Sequence, residues 1–280
     1  MKITQIRNAT IVIEFGNVCL LVDPMLAKAG ALPPLKLLDG KRRRNPIVEL
    51  PDGTDAILNK VTHCLITHCQ KGHFDHLDNA GKRWLRETQI PVICTQHDAA
   101  YLRHRNLNVD VLEISALELS AIELSALELS AFEHNTTKES RFFNGTIRTI
   151  PCRHGKGLVG LMMEHGVGYY IQLPNEPSLY LSGDTILTDE IRHFITTVQP
   201  DVCVVPAGGA HFDIGGEIIM GIEETIELTR LSKGIVIANH LEALSHCPVK
   251  RCDLNAALLE VGMRSRLKIP EDGETCDYFL

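Results

Sequence analysis

No stretch of this 280-residue chain is apolar for long enough to span a bilayer. Its first residues, Met1-Lys2-Ile3-Thr4-Gln5-Ile6-Arg7, lack the apolar block of a secretory signal. Positive charge is also short: 28 Lys and Arg against 35 Asp and Glu leave a formal net charge of −7. A surface that holds nucleic acid or an acidic membrane needs the opposite balance, so neither partner is expected. A disulfide framework is missing as well. The nine cysteines are odd in number, and several (Cys19, Cys64, Cys94, Cys203) fall inside strand-like runs. That usage fits buried, reduced thiols in a cytoplasmic protein.

What remains is an ordinary globular composition, 44% hydrophobic, with mean hydropathy near zero. A chain of this length builds one large α/β domain or two small ones. No linker interrupts it, so one domain over 1–280 is expected.

The N-terminal third opens with extended runs at Ile3–Ile6, Thr10–Phe15 and Val18–Val22, the last two joined by a Gly16-Asn17 turn and the third ending at Asp23-Pro24. Between Lys28 and Asp55 the chain is rich in Pro, Gly and charge, with Lys41-Arg42-Arg43-Arg44 at its centre. It reads as a long surface loop, a length that is unusual unless functional. Further strands are expected at Val61–Thr67, Val92–Cys94, Thr146–Ile150, Gly157–Glu164, Gly168–Leu173, Ser178–Leu181, Val202–Val205 and Gly234–Ala238. Helices are expected at Asp78–Glu87, Asp98–Arg103, Gly221–Leu231 and Val249–Glu260. Strands and helices interleaved in two successive halves point to a layered α/β fold.

One segment follows neither period. Ser115–Glu133 is a five-residue repeat, Ser-Ala-Leu-Glu-Leu and near copies, whose apolar positions alternate spacings of two and three. It reads as a tandem expansion inside a surface connection, with no chemistry of its own. Exposed leucines there leave room for a homo-oligomer contact.

The chemistry concentrates elsewhere. Thr67-His68-Cys69-Gln70-Lys71-Gly72-His73-Phe74-Asp75-His76 places three histidines and an aspartate directly after an apolar strand. Imidazole with carboxylate is a usual ligand set for Zn²⁺ and related metals. Three more metal-competent side chains sit where apolar strands run out: His154 after Thr149-Ile150-Pro151, Asp184 in Leu181-Ser182-Gly183-Asp184-Thr185, and His240 closing Val236-Ile237-Ala238-Asn239-His240. A strand end combines rigidity with access.

Asp23-Pro24, Leu65-Ile66-Thr67-His68, His73-Phe74-Asp75-His76-Leu77-Asp78, Ser182-Gly183-Asp184-Thr185, Pro206-Ala207-Gly208-Gly209 and Asn239-His240-Leu241-Glu242-Ala243 together resemble the metallo-β-lactamase superfamily. The likeness is to its cytosolic metal-dependent hydrolases, the branch that includes L-ascorbate-6-phosphate lactonase. The resemblance covers nearly the whole chain apart from the repeat. It implies a four-layer αββα sandwich and two divalent metal ions, Zn or Mn, with Fe also compatible. By position, His68, His73 and His154 would hold the first ion, Asp75, His76 and His240 the second, and Asp184 would bridge them. A hydroxide between the ions would attack a small ester or lactone, with Asp75 orienting it. Asp23 would support the ligand loops through hydrogen bonds.

The chain departs from the family's His-x-His-x-Asp-His pattern, because four residues separate His68 from His73. Either the loop carries an insertion and His68 still coordinates, or Lys71 takes the first ligand position. A lysine has no acceptor to offer a metal, and Cys69 is then an alternative thiolate. His211 and His246 are read as either mouth residues or surface residues. His97, His104, His134, His165 and His193 are read as structural or exposed.

Three functions stay open at this level. The first is metal-dependent hydrolysis of a small ester or lactone. The second is phosphodiester hydrolysis of a small anionic substrate held by Lys41–Arg44, Arg153 and Lys156. The third is metal binding with little catalysis.

Overall fold

The computed structural model describes residues 1–38, 42–70, 72–112, 139–157, 160, 163 and 166–279. The repeat at 115–133, Lys41, Lys71, His134 and His165 lie outside the described residues.

Two seven-stranded sheets are built on the same plan. The first contains β1 (Lys2–Arg7), β2 (Thr10–Phe15), β3 (Val18–Val22), β4 (His63–Leu65), β5 (Val92–Cys94) and β6 (Val109–Val111) in that order, with the C-terminal β14 (Thr275–Asp277) on the outer edge of β1. The second runs β7 (Ser140–Phe142), β8 (Gly145–Pro151), β9 (Val167–Gln172), β10 (Leu179–Leu181), β11 (Val202–Pro206), β12 (Ile235–Asn239) and β13 (Leu267–Lys268). In each sheet three antiparallel pairings are followed by three parallel ones, which makes both sheets mixed.

Side-chain alternation divides the core into layers, as a period of two requires. Ile11, Ile13 and Phe15 of β2 and Leu20 and Val22 of β3 face Tyr169 and Ile171 of β9 and Val202 and Val204 of β11 between the sheets. The intervening Val12, Cys19 and Leu21 point outward to Leu58 of α1 (Thr54–Leu58). Farther along, Cys64, Val92 and Cys94 pack under Leu85 of α2 (Asn79–Thr88) and Ala99 and Leu102 of α3 (Gln96–Arg103). On the far side, Cys203, Val205, Val236 and Ala238 are covered by three helices. These are α4 (Asp189–Val198), α5 (Ile222–Leu231) and α6 (Arg251–Glu260). Each fully buried Leu, Ile or Phe in these layers contributes about 1.5–3 kcal/mol. The result is the four-layer αββα sandwich that the resemblance implies.

Most expected elements are present within one or two residues. One is corrected. In the stretch read as a strand at Gly157–Glu164, the described Gly157 and Gly160 are helical, and the Gly160 N–H donates to the Lys156 carbonyl at 3.3 Å. A short apolar run does not by itself distinguish a buried strand from a buried helical turn.

The described residues from Lys28 to Asp55 are irregular until α1 begins, but they form more than a surface loop. Leu32 and Asn45 are buried, and Leu32 bridges to Asn45. Arg7, fully buried at the end of β1, ties the segment down. Its guanidinium donates to the carbonyls of Met25 and Ala27 at 2.8 Å each and Val48 at 3.1 Å.

Candidate metal centre

Every candidate ligand sits on a loop that leaves one end of the sandwich. Thr67 and His68 follow β4, His154 follows β8, Asp184 follows β10 and His240 follows β12. Gly183, at φ +62°, lets this turn pass the Val167 carbonyl, which a Cβ would meet at 2.8 Å. Two backbone-directed bonds join the loops that carry His154 and Asp184. The Arg153 N–H donates to Thr185 Oγ1 and the Ile186 N–H to the Arg153 carbonyl, both at 3.0 Å.

Cys69 and Gln70, in the loop between His68 and His73, turn away from the centre. Cys69 Sγ lies 3.3 Å from Asp98 Oδ1, and the Gln70 side-chain amide donates to the same oxygen at 3.0 Å. The extra loop is thereby fastened to the first turn of α3. The His68 and His73 rings meet at 4.5 Å between centroids, and His73 and His154 at 5.2 Å. Cys69 faces the apolar layer under α2 and α3 instead of the cluster.

The seven predicted residues fall into two groups. His68, His73 and His154 each offer a ligand atom within 4.8 Å of the others; Asp75, His76, Asp184 and His240 do the same. All seven are buried. Asp184 Oδ2 links the groups: it lies 3.1 Å from His76 Nε2, 3.3 Å from His240 Nε2 and 3.6 Å from His154 Nε2. Asp75 Oδ2 stands 3.5 Å from His240 Nε2 and 3.9 Å from His76 Nε2.

Behind the rings, second partners set their orientation. His76 Nδ1 donates to Asp23 Oδ2 at 2.8 Å, and Asp23 also accepts from the Thr67 N–H (2.8 Å) and Thr67 Oγ1–H (2.5 Å). His154 Nδ1 donates to the Ile218 carbonyl at 2.8 Å, and His68 Nδ1 lies 3.0 Å from Thr67 Oγ1. In each case Nδ1 is occupied and Nε2 is left to face the centre.

Electrostatics follow from this crowding. Burial, reinforced by the neighbouring His76 and His73, holds His68 well below the usual histidine range. Burial likewise lowers His154, to about 4. Burial would lower His76 and His240 too, but Asp184, with Asp23 and Asp75 for His76, outweighs it and raises both. The same contacts hold Asp75 and Asp184 below the usual carboxylate range against the cost of burial.

A metal suits these residues on two grounds. The donor set is imidazole and carboxylate throughout. In addition, His68 Nε2 is buried without a hydrogen-bond partner, an atom whose desolvation a cation would offset.

Among 33%-identical relatives is UPF0173 protein YddR of Bacillus subtilis, matched over 282 residues, 98% of this chain and 99% of that one. The chain belongs to the UPF0173 family of metal-dependent hydrolases. A UPF0173 metal-dependent hydrolase of Methylacidiphilum infernorum is 24% identical over 231 residues, 82% of this chain and 80% of its own. Among solved structures, an isothiocyanate hydrolase from Delia radicum gut bacteria superposes with TM-score 0.83 at 28% identity, covering 100% of both chains. The metallo-β-lactamase fold protein YhfI of Bacillus subtilis, 11% identical with TM-score 0.59 over 98% of both chains, shares the fold. No family model matches the chain.

Some residues around this UPF0173 centre carried no sequence signal. Asn8, fully buried in the β1–β2 turn, donates through Nδ2 to the Asp75 carbonyl at 3.3 Å and lies 3.2 Å from His240 Nε2. Its own carbonyl accepts from the His240 N–H at 3.0 Å. Its one legible trait is that Asn tolerates the positive φ, here 58°, that the turn requires. His211 is half-buried and His246 buried, its ring centroid 6.4 Å from that of His240. The His211 N–H donates to the His246 carbonyl at 3.0 Å, and the His246 ring stacks on Phe212.

Proposed function

We propose that this protein is a hydrolase with two divalent ions, Zn or Mn, acting on a small, uncharged electrophile such as an ester or lactone. His68, His73 and His154 would hold one ion, and Asp75, His76 and His240 the other, with Asp184 shared. The observation that carries this is Asp184 Oδ2, one carboxylate oxygen within 3.6 Å of histidines from both groups. The looped-out Cys69 and Gln70 support His68 as a ligand despite the lengthened spacing.

When bound, the ions would supply Lewis acidity for the scissile carbonyl and make water a nucleophile near neutral pH. The chain's own groups do the rest. Asp75 is the most open carboxylate of the cluster, with a side chain 10% exposed against 3% for Asp184. It is placed to accept a hydrogen bond from attacking water at Oδ2 and orient it. Asp23, Thr67 and the Ile218 carbonyl keep Nε2 of His76, His68 and His154 pointed inward. Phe74, Phe212 and Met163 pack against one apolar cluster with Ile218, Ala243 and Cys247.

Two of the cations that could serve an anionic substrate are otherwise engaged. Arg44 donates to the carbonyls of Gly30 and Ala31, and Lys156 pairs with Glu224 at 3.3 Å. That favours a neutral substrate over a phosphodiester. The likeness to the Delia radicum gut bacteria enzyme favours a second reading, hydrolysis of an isothiocyanate, whose central carbon is also a small neutral electrophile. With nine free cysteines and no described helix long and apolar enough to cross a membrane, the cytoplasm is the proposed setting.

Metal analysis of the purified chain and of His68→Ala tests this proposal, followed by assays on lactones, aryl esters, isothiocyanates and phosphodiesters. About two ions in the parent, fewer in the variant, and turnover of a neutral carbon electrophile are expected. A parent that binds no ion, or that turns over phosphodiesters alone, overturns it.

A further inference from the structure

His240 differs from His76, His154 and His68 in what stands behind it. His76 is backed by a carboxylate, His154 by a main-chain carbonyl and His68 by a hydroxyl. Behind His240 is a thiol: Cys247 Sγ lies 3.4 Å from His240 Nδ1, in hydrogen-bonding geometry, and 3.8 Å from His246 Nδ1. The His240 side chain is fully buried, and its Nε2 faces Asp184 and Asp75. An imidazole that binds metal through Nε2 carries its proton on Nδ1, so Nδ1–H donates to Sγ.

The surrounding chain builds this contact closely. His240 itself sits at φ +56° and Glu242 at φ +57°, both unusual for residues with a Cβ. The turn is gripped at Glu242, whose carboxylate accepts from the Arg251 guanidinium at 2.6 Å and from the Arg251 N–H at 3.1 Å. Gly208 passes over it so closely that a Cβ would meet the His240 carbonyl at 2.1 Å and the Cys247 Cβ at 3.1 Å. The side chain at position 247 is therefore pressed against the ring with little room to do anything else.

We propose that Cys247 is a positioning residue for the second ion, holding His240 in the tautomer and rotation that present Nε2 to the metal. This rests on the two-ion proposal above. Sulfur is a weak, polarisable acceptor, so the residue fixes the ring with less charge than Asp23 supplies to His76. A serine at this position keeps an acceptor; an alanine keeps only part of the packing.

The test is competition titration of the full-length, metal-free chain with Zn²⁺ against a chromophoric chelator, resolving both binding steps, for the parent, Cys247→Ser and Cys247→Ala. The alanine variant is expected to bind the second ion about tenfold or more weakly, with the first step unchanged. The serine variant should stay close to the parent, and it keeps the test open should the alanine variant fold poorly. A Cys247→Ala protein that binds both ions as the parent does overturns the proposal. Equal weakening of both steps, with a lower melting temperature in the metal-free protein, would make Cys247 a packing residue only and also overturn it. Loading with Co²⁺ separates one more case: a thiolate charge-transfer band lost in Cys247→Ser would make Sγ itself a ligand. A parent that takes up neither ion sinks the two-ion proposal itself, an outcome distinct from each of these.

Discussion

Asp23 and His76 are joined at 2.8 Å although they lie in different segments, one closing β3 and the other in the loop before α2. The same carboxylate takes both hydrogens offered by Thr67, at the end of β4. One aspartate thus locks the root of the His68 loop to a ring of the second group. Asp23→Asn can keep at most part of this set, because an amide accepts at one oxygen only. A loss of about ten- to a hundredfold in metal affinity is expected, read by chelator competition. Unchanged affinity would mean that the ring is held by packing alone.

The metal-free protein should be most stable near pH 6.5. His76 and His240 are raised in the folded state, so their contribution is complete below the unfolded histidine value of about 6.5 and is lost as pH rises through the folded one. His68 and His154 are lowered; they oppose folding in acid, and stability falls as pH drops from about 6.5 towards the folded value, about 4 for His154. Asp75 and Asp184 are held low and add to the loss in acid, below the ordinary carboxylate value. Denaturation midpoints across pH 4 to 9 in excess chelator read this curve. A midpoint that climbs steadily to pH 9 would refute the assignment. Added metal should move the optimum upward, since it competes with protons for the same nitrogens.

Arg7→Met should destabilise the fold by about 3 kcal/mol, because three main-chain carbonyls lose a charged donor in a buried setting. The side chain is similar in length, so packing is largely kept and the lost hydrogen bonds dominate. Urea denaturation measures the change; a shift under about 0.5 kcal/mol would show that water satisfies these carbonyls.

Gly208→Ala is expected to cost about 1–3 kcal/mol, since its Cβ would meet a main-chain oxygen of His240 that cannot rotate away. Because the displaced group is the His240 backbone, second-ion affinity should fall along with the melting temperature. Full metal occupancy at parental affinity would show that the turn can yield without moving the ring.

Much of the sandwich was legible in the chain because its strands are short, apolar and bounded by turn residues. The β2–β3 hairpin, with Gly16-Asn17 between two alternating runs, is the clearest case. The α4 helix carried no expectation, although Thr188 caps it by accepting from the Ile191 N–H at 3.2 Å. The edge strands β6, β7, β13 and β14 are two or three residues long, too short for any period to show.

The side chains that meet at the centre were also named beforehand, since His, Asp and strand ends are local features. Apart from Asp23, their partners were not. Asn8 reaches His240 across 232 positions, and the Ile218 carbonyl reaches His154 across 64. Cys247 looked like one more buried thiol.

By itself the sequence determined which residues carry metal-competent side chains and the layered α/β class, because residue chemistry and hydrophobic period are properties of short segments. Only the tertiary structure decided that Cys69 and Gln70 loop out so that His68 meets His73, that Arg44 and Lys156 are already engaged, and which group backs each ring. Those outcomes depend on distances between segments far apart in the chain. Such distances are set by how two twisted sheets pack, and no local pattern encodes them.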